Sequence, residues 1–406
     1  MFHSIAIALL LCLNLSPVDR EPRVRISLFS LFKPEVVSAR VASGEGARIE
    51  VDGRADTGLA PGETLRVRLA GTQLNIAITD STGRVARTFT ARSTQITPAG
   101  SATIELILPR KIKRVVHGQV LLSKGDRDLR GQLKIVLVTD RESAVASVVA
   151  AELSGERSTE ALKALAVAVR TFMLAQRERH QGEGFDFCDT THCQVYRGEQ
   201  DLSTEAASPV VASAVAGTAG EVLSFAGRAV ESYYTSSCGG LSATPEMVWG
   251  GPNDGYTFRR VACRWCSRQR YFRWQRSADA TAIVSALSVF LGERLSSSTA
   301  IDIDLEPSSE FVRTVTLRSG SIERVLSADA FRRAIGRKLG WNTLLSPSFT
   351  IERRGARFVF RGRGFGSQVG LCLAGSVAQA AAGRSYRDIL SFYFPGTDLS
   401  GGVPRE

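Results

Sequence analysis

Residues 133–176 read LKIVLVTDRESAVASVVAAELSGERSTEALKALAVAVRTFMLAQ, and the chain changes character inside this stretch. Leu133 to Val138 is a short apolar run broken only by Lys134, the pattern of a strand buried on both faces. A second apolar run, Val145 to Ala151, stops at Glu152. From Glu160 to Gln176, Ala, Leu and Val follow one another almost unbroken, which predicts a buried helix that Ser158 or Thr159 can cap. A strand pattern therefore gives way to a helix pattern near residue 140.

Upstream, period-two alternation recurs. Val24, Ile26 and Leu28 alternate with polar residues, as do Leu65, Val67 and Leu69, then Leu74, Ile76 and Ile78, then Ile104, Leu106 and Leu108. Gly44–Gly46, Pro61-Gly62 and Gly83 separate them as turns. No catalytic constellation lies here, so 21–139 reads as a β-rich accessory domain. Downstream, helices are expected from Ser277, from Ser327 as N-cap, over Val377 to Ala382 and over Tyr386 to Phe392. Strands are expected at Val222–Phe225, Ala229–Thr235, Phe311–Leu317 and Arg357–Arg361. Helices and strands mixed without a βαβ rhythm give the α+β class, a β-rich N-terminal domain followed by a mixed α+β domain. That second domain is read over 140–397, with a flexible tail at 398–406.

The 406 residues are 44% hydrophobic and 22% charged, which excludes a disordered chain. The formal charge of +11 favours polyanions: nucleic acid, acidic lipid or an anionic wall polymer. Ile5 to Leu15 has signal-peptide length, so 1–20 reads as a signal segment and the protein as exported, to the periplasm or cell wall. No other stretch is long enough to span a bilayer. Arg interleaves with Phe258, Trp265, Tyr271, Phe272 and Trp274, a pattern that could stack on single-stranded nucleic acid. Export argues against that partner, and a basic surface or groove rim is the better reading.

Seven cysteines are present, six of them beyond the signal segment. His180, Cys188, His192 and Cys193 form a candidate zinc set, because zinc takes Cys and His ligands in a tetrahedron. His192 and Cys193 are adjacent, which makes joint ligation awkward. A disulfide among Cys188, Cys193, Cys238 and Cys263 competes with this reading. Cys263 and Cys266 form a Cys-x-x-Cys with no evident partner pair.

Four segments stand out in order. They are Val148 to Glu152 with Glu160 to Phe172; Phe185 to Gly198; Tyr233 to Gly240 with Val248-Trp249-Gly250; and Gly364-Phe365-Gly366, Val369 to Cys372 and Ser385 to Thr397. Together they resemble the stage II sporulation protein D family, which includes the amidase-modifier proteins of cell walls. The resemblance implies a lytic transglycosylase that cleaves the bond between N-acetylmuramic acid and N-acetylglucosamine, with peptidoglycan glycan strands as its partner. It also leaves open a non-catalytic wall-binding activator of a cell-wall amidase, and it supports a structural zinc near the Phe185 to Gly198 segment. No cofactor is expected for catalysis. Three positions depart from the family pattern: Gly366-Ser367-Gln368-Val369-Gly370 replaces Gly-His-Gly-Val-Gly, Leu373 to Ser376 replaces Gln-Trp-Gly-Ala, and Leu165 replaces a glutamine.

Such a reaction needs one proton donor, because the 6-hydroxyl of the muramic acid is itself the nucleophile. Glu152 is the expected acid, held protonated by partial desolvation where a buried segment reaches a cleft. Glu156, four residues on, is the rival and reads as a surface residue. Lys163 and Arg170 lie seven apart, hence on one helix face within about 20°. A buried Arg170 must bond either a carboxylate or a sugar substituent, and the resemblance favours a substrate groove. Tyr233, Ser236, Ser237, Gly239 and Gly240 are expected to line that groove, the glycines by letting backbone approach the glycan.

Overall fold

The structure is a computed structural model, and it describes residues 23–401 except 127–130, 178, 200–207, 251–255, 257 and 308. The expected signal segment lies outside the described residues. About 25% of the chain is helix and 38% strand, with the strands concentrated at the N-terminus. Most strand pairs are antiparallel, and parallel ladders are confined to short contacts such as Ile26–Phe187 and Tyr234–Leu371. The fold is α+β, as the patterns predict.

The N-terminal region forms two sheets. A seven-stranded sheet runs Phe187–Cys188, Arg23–Ser27, Leu133–Asp140, Gln119–Lys124, Ser93–Pro98, Ala47–Val51, Arg54–Leu59. A six-stranded sheet runs Ile112–Val116, Thr103–Leu108, Val36–Ser43, Thr64–Ala70, Gln73–Thr79, Val85–Ala91. Alternation does the sorting. In Gln73–Thr79, Leu74, Ile76 and Ile78 are buried while Gln73 and Asn75 face out. Leu133–Asp140 holds a central place in its sheet, which is why its apolar run is nearly continuous.

That strand runs straight into helix α1 (Arg141–Glu152), whose N-cap Asp140 accepts a hydrogen bond from the Ser143 N–H at 2.7 Å. Helix α2 (Thr159–Ala175) follows and buries 12 of its 17 residues, so it is the central helix rather than a surface one. Helices α3 (Ser208–Ala216) and α4 (Pro245–Trp249) come next. One hydrophobic core then continues from Val24 and Ile26 of the first strand through α1 and α2 to Phe394. The change of character at residue 140 falls inside that core.

A second core belongs to residues 274–362. Strands Trp274–Asp279, Arg357–Gly362 and Phe349–Arg354 form one sheet, and Ala300–Leu305, Val312–Ser319 and Ile322–Ser327 another. Helices α5 (Ala280–Leu291) and α6 (Ala328–Leu339) pack together beside them. Ser327 caps α6 as expected. The helix expected from Ser277 begins three residues later, because Ser277 is in a strand and Asp279 is the cap that bonds the Ala282 N–H. The chain ends with helices α7 (Leu373–Ala381) and α8 (Tyr386–Tyr393). The expected tail is corrected at its start: Asp398–Gly401 pairs with Glu221–Phe225, which satisfies its backbone. Residues 402–406 lie outside the described residues.

Phe331 is fully buried in the second core and stacks on Phe349 with ring centroids 6.0 Å apart. Phe331→Ala is expected to cost about 3–5 kcal/mol by cavity formation, read as a lower denaturation midpoint in urea.

Candidate active site

Glu152 is the last residue of α1 and is half-buried. Its Oε1 lies 3.4 Å from the hydroxyl of Tyr234, which donates to it. Burial pushes the carboxyl above its ordinary value, and this outweighs the stabilisation of the charged form by the Tyr234 hydroxyl, the Val195 N–H and the Arg197 charge. The C-terminal end of a helix dipole also disfavours a negative charge at this position. The side chain therefore holds its proton to higher pH than a solvated glutamate. That is the property a proton donor needs. Glu156 is engaged differently, for its Oε1 accepts from the N–H groups of Arg157 and Ser158 at the entrance to α2.

Tyr234 is the neighbour that sequence reasoning missed in favour of Tyr233. The strand Tyr234–Thr235 is only two residues long, paired in parallel with Leu371–Cys372. Strand geometry sends successive side chains to opposite sides, so only one of the two tyrosines reaches Glu152. Tyr233 instead bonds Glu231 at 2.8 Å and packs against Phe172 and the half-exposed Trp249. The strand expected across Ala229–Thr235 is interrupted at 230–233.

Arg170 requires a correction. It is fully buried, and its guanidinium forms two parallel bonds to Glu142, Nε–Oε1 at 2.7 Å and Nη2–Oε2 at 2.6 Å. Its Nη1 donates to the Glu221 carbonyl at 3.0 Å. With that fork occupied and water excluded, Arg170 cannot meet a sugar; it ties α2 to α1. Lys163 pairs with Glu160 at 3.0 Å and lies over the Tyr386 ring, so it joins α2 to α8. The seven-residue spacing does put both cations on one helix face, but that face is a packing surface.

The Ser236 to Gly240 segment divides. Ser236 is exposed, while Ser237 is buried and exchanges backbone bonds with Phe365. Gly239 has φ +67°, and a Cβ there would lie 2.5 Å from the Gly364 nitrogen, so the glycine serves a close approach of two chain segments. Gly240 packs beside Phe272 in the same way. A polar depression of about 380 Å³ opens along this segment, lined by Gly239, Ser242, Arg260, Glu310, Arg363 and Gln368 among others. Glu152 is not in that lining; Tyr234 to Ser242 connects the two places.

The four predicted metal-binding side chains do come together. The ligand atoms of His180, Cys188, His192 and Cys193 all lie within 4.8 Å of one another. The adjacency of His192 and Cys193 proves no obstacle, because a turn that begins at Thr190 folds both side chains to the same side, with His192 Nδ1 3.7 Å from Cys193 Sγ. His180 Nδ1 is 2.7 Å from Glu183 Oε1, and its Nε2 is turned toward the cysteines, 3.2 Å from Cys193 Sγ. The loop is anchored beneath by Asp189, which pairs with Arg114 and accepts from the Phe29 and Ser30 N–H groups at 2.6 and 3.1 Å. Cys238 and Cys263 lie elsewhere, so the disulfide partners considered for Cys188 and Cys193 reduce to each other.

Both ionisable groups, Glu152 and Arg170, have measurable consequences for stability. Because burial raises the Glu152 value, its stabilising contribution is complete below the unfolded value near 4.5 and is lost as pH climbs through the folded one. Across that window the native protein should lose up to about 1.4 kcal/mol per pH unit, whereas Glu152→Gln should remove this slope in urea titrations. Arg170→Ala should cost about 3–5 kcal/mol in the same titrations, since Glu142 would be left without its partner.

Comparison with known proteins bears on the family resemblance. Residues 129–225, which contain α1, α2 and the cysteine–histidine loop, match the family model described as the stage II sporulation protein. The chain is 28% identical over 269 residues to the stage II sporulation protein D of Bacillus amyloliquefaciens, covering 64% of this chain and 74% of that protein. It is 28% identical over 261 residues to an uncharacterized protein of Brachyspira hyodysenteriae, covering 64% and 66%. It is 25% identical over 291 residues to the amidase enhancer of Bacillus subtilis, covering 62% of this chain but 40% of that one. The resemblance drawn from the four motifs therefore holds, and residues 129–225 are similar to the stage II sporulation protein family.

Proposed function

We propose that this protein is an exported lytic transglycosylase that cleaves peptidoglycan glycan strands between N-acetylmuramic acid and N-acetylglucosamine. The observation that carries this reading is the desolvated carboxyl of Glu152, poised against Tyr234 at the end of α1. The likeness to a stage II sporulation protein D and to an amidase enhancer supports a cell-wall function.

In this reaction Glu152 gives its proton to the glycosidic oxygen as the bond to the muramic C1 breaks. The carboxylate so formed then takes the proton from the muramic 6-hydroxyl as that oxygen bonds C1, which closes a 1,6-anhydro ring. The glycosidic bond is exchanged for an internal one, and Glu152 ends the cycle protonated again. No second carboxylate and no water are consumed. Tyr234 orients the acid by its hydroxyl. Burial of the carboxyl keeps the proton in place until substrate arrives.

We also propose a structural zinc ion on His180, Cys188, His192 and Cys193. Two thiolates and two imidazoles suit zinc, and Glu183 on His180 is the kind of outer partner such ligands use. The ion would pin the loop that places Val195 and Arg197 beside Glu152.

A second reading is a wall-binding activator of an amidase. It draws on the amidase-enhancer likeness and on Ser367, which stands where the family motif has histidine.

The test uses glycan strands stripped of stem peptides. Products with 1,6-anhydromuramic ends, seen by mass spectrometry and reduced about 10²–10⁴-fold in Glu152→Gln, are the expected result. Firm wall binding with no such ends, together with stimulation of an added amidase, would replace the enzyme by the activator.

A further inference from the structure

Four further cysteines form a second cluster that their spacing in the sequence does not suggest. Cys238, Cys263, Cys266 and Cys372 are each fully buried, and their sulfurs all lie within 4.8 Å of one another. They arrive from separate places. Cys238 follows the strand Tyr234–Thr235; Cys263 and Cys266 bracket a short 3-10 turn; Cys372 ends the strand Leu371–Cys372 and caps α7.

From this convergence we propose that the four sulfurs bind a single zinc ion in a tetrahedral tetrathiolate site. A zinc–sulfur distance of about 2.3 Å places the sulfurs of a regular tetrahedron about 3.8 Å apart. The Cys238–Cys266 separation is 3.6 Å and the Cys263–Cys266 separation 3.9 Å. A disulfide would single out one pair at about 2.05 Å, and here the sulfurs crowd around a common centre. A cluster of several irons would spread its sulfurs farther than 4.8 Å.

The surroundings suit charged sulfur. Cys372 Sγ accepts from the Cys238 and Gly375 N–H groups, each at 3.3 Å, at the N-terminal end of α7 where a negative charge is favoured. The Tyr393 hydroxyl lies 3.1 Å from Cys263 Sγ. A Cβ on Gly375 would fall 2.0 Å from that hydroxyl and 2.9 Å from Cys263 Sγ, so the backbone here leaves room only for glycine. Four buried thiolates would repel one another strongly, and a divalent cation at their centre removes that cost.

The position explains what the ion would hold together. Residues 274–362 leave the main core just after Cys266 and return just before Cys372, so the ion would close the root of that excursion. It would also clamp the strand carrying Tyr234, since Thr235 pairs with Cys372 and Cys238 lies four residues from Tyr234. This inference does not depend on the proposed glycan chemistry.

The test is elemental analysis and zinc-edge X-ray absorption on the full chain, purified without chelators. With both sites filled, two zinc ions per chain are expected, with an average shell of about three sulfurs to one nitrogen. The variant Cys188→Ser with Cys193→Ser should keep one zinc in an all-sulfur shell at about 2.3 Å; adding Cys266→Ser should remove it. Should the variants fail to fold, the wild-type shell still decides, because the loop site alone gives one zinc with equal sulfur and nitrogen. That result, iron in place of zinc, or a denatured mass four hydrogens light from two disulfides, would each overturn the assignment.

Discussion

A guanidinium with no access to water must have its charge answered inside the protein, and Arg170 sets that condition at the centre of this fold. It sits in the most buried helix of the chain, among Ala166, Val167, Ala168 and Val169. Glu142 answers it with both oxygens, from the first turn of α1. Such a forked pair fixes direction as well as distance, so α1 is held in one rotation against α2. Glu152 lies ten residues further along α1, about 15 Å by helix rise. The position of the proposed acid is therefore set by an ion pair that never meets substrate.

The far end of α1 is completed by parts that come from distant sequence. Val195 and Arg197 belong to the loop that Asp189 anchors to the N-terminal sheet, and Tyr234 belongs to a strand anchored through Cys372. Each contributes a partner that favours the charged carboxylate, yet burial prevails. The balance suits the proposed reaction, in which the two states of the acid must both be accessible during a turnover. A carboxyl buried without any partner would release its proton too reluctantly. One in open water would have lost it already.

Much of this is legible in the sequence, for identifiable reasons. Most strands of the N-terminal sheets follow period two because one face lies on the core; α2 follows from composition alone, since the Ser158 side chain makes no cap bond, and α6 from its Ser327 cap. What escapes are features that depend on contacts between remote segments. Val145 to Ala151 is an apolar run without a decided state, because a helix buried on most sides shows little periodicity. Trp274–Asp279 mimics a helix start at Ser277, since the true cap, Asp279, lies at the end of the strand rather than before it. Arg170 is recognisable as a buried cation in need of a partner, but its sequence neighbours do not choose between Glu142 and a sugar. The Cys263–Cys266 pair looks isolated because its companions lie 25 residues before Cys263 and 106 after Cys266.

The departures at 366–370 acquire a definite meaning from these contacts. Gln368 stands where the family pattern has glycine, and it adopts φ +68°, a left-handed conformation costly for a side chain. Its amide nitrogen donates to the Cys238 carbonyl at 2.8 Å, and its backbone N–H bonds Thr235 Oγ1 at 3.1 Å. These ties to the strand and the cysteine segment offset the strain and preserve the loop path. Gly370 keeps its own requirement, for a Cβ there would lie 2.0 Å from the Tyr233 carbonyl. The scaffold of the motif survives while the histidine side chain is lost to Ser367, whose hydroxyl now accepts from the Val369 N–H. Loss of that imidazole removes a group without unmaking the wall that holds Tyr234 against Glu152, so the acid and its setting do not depend on it.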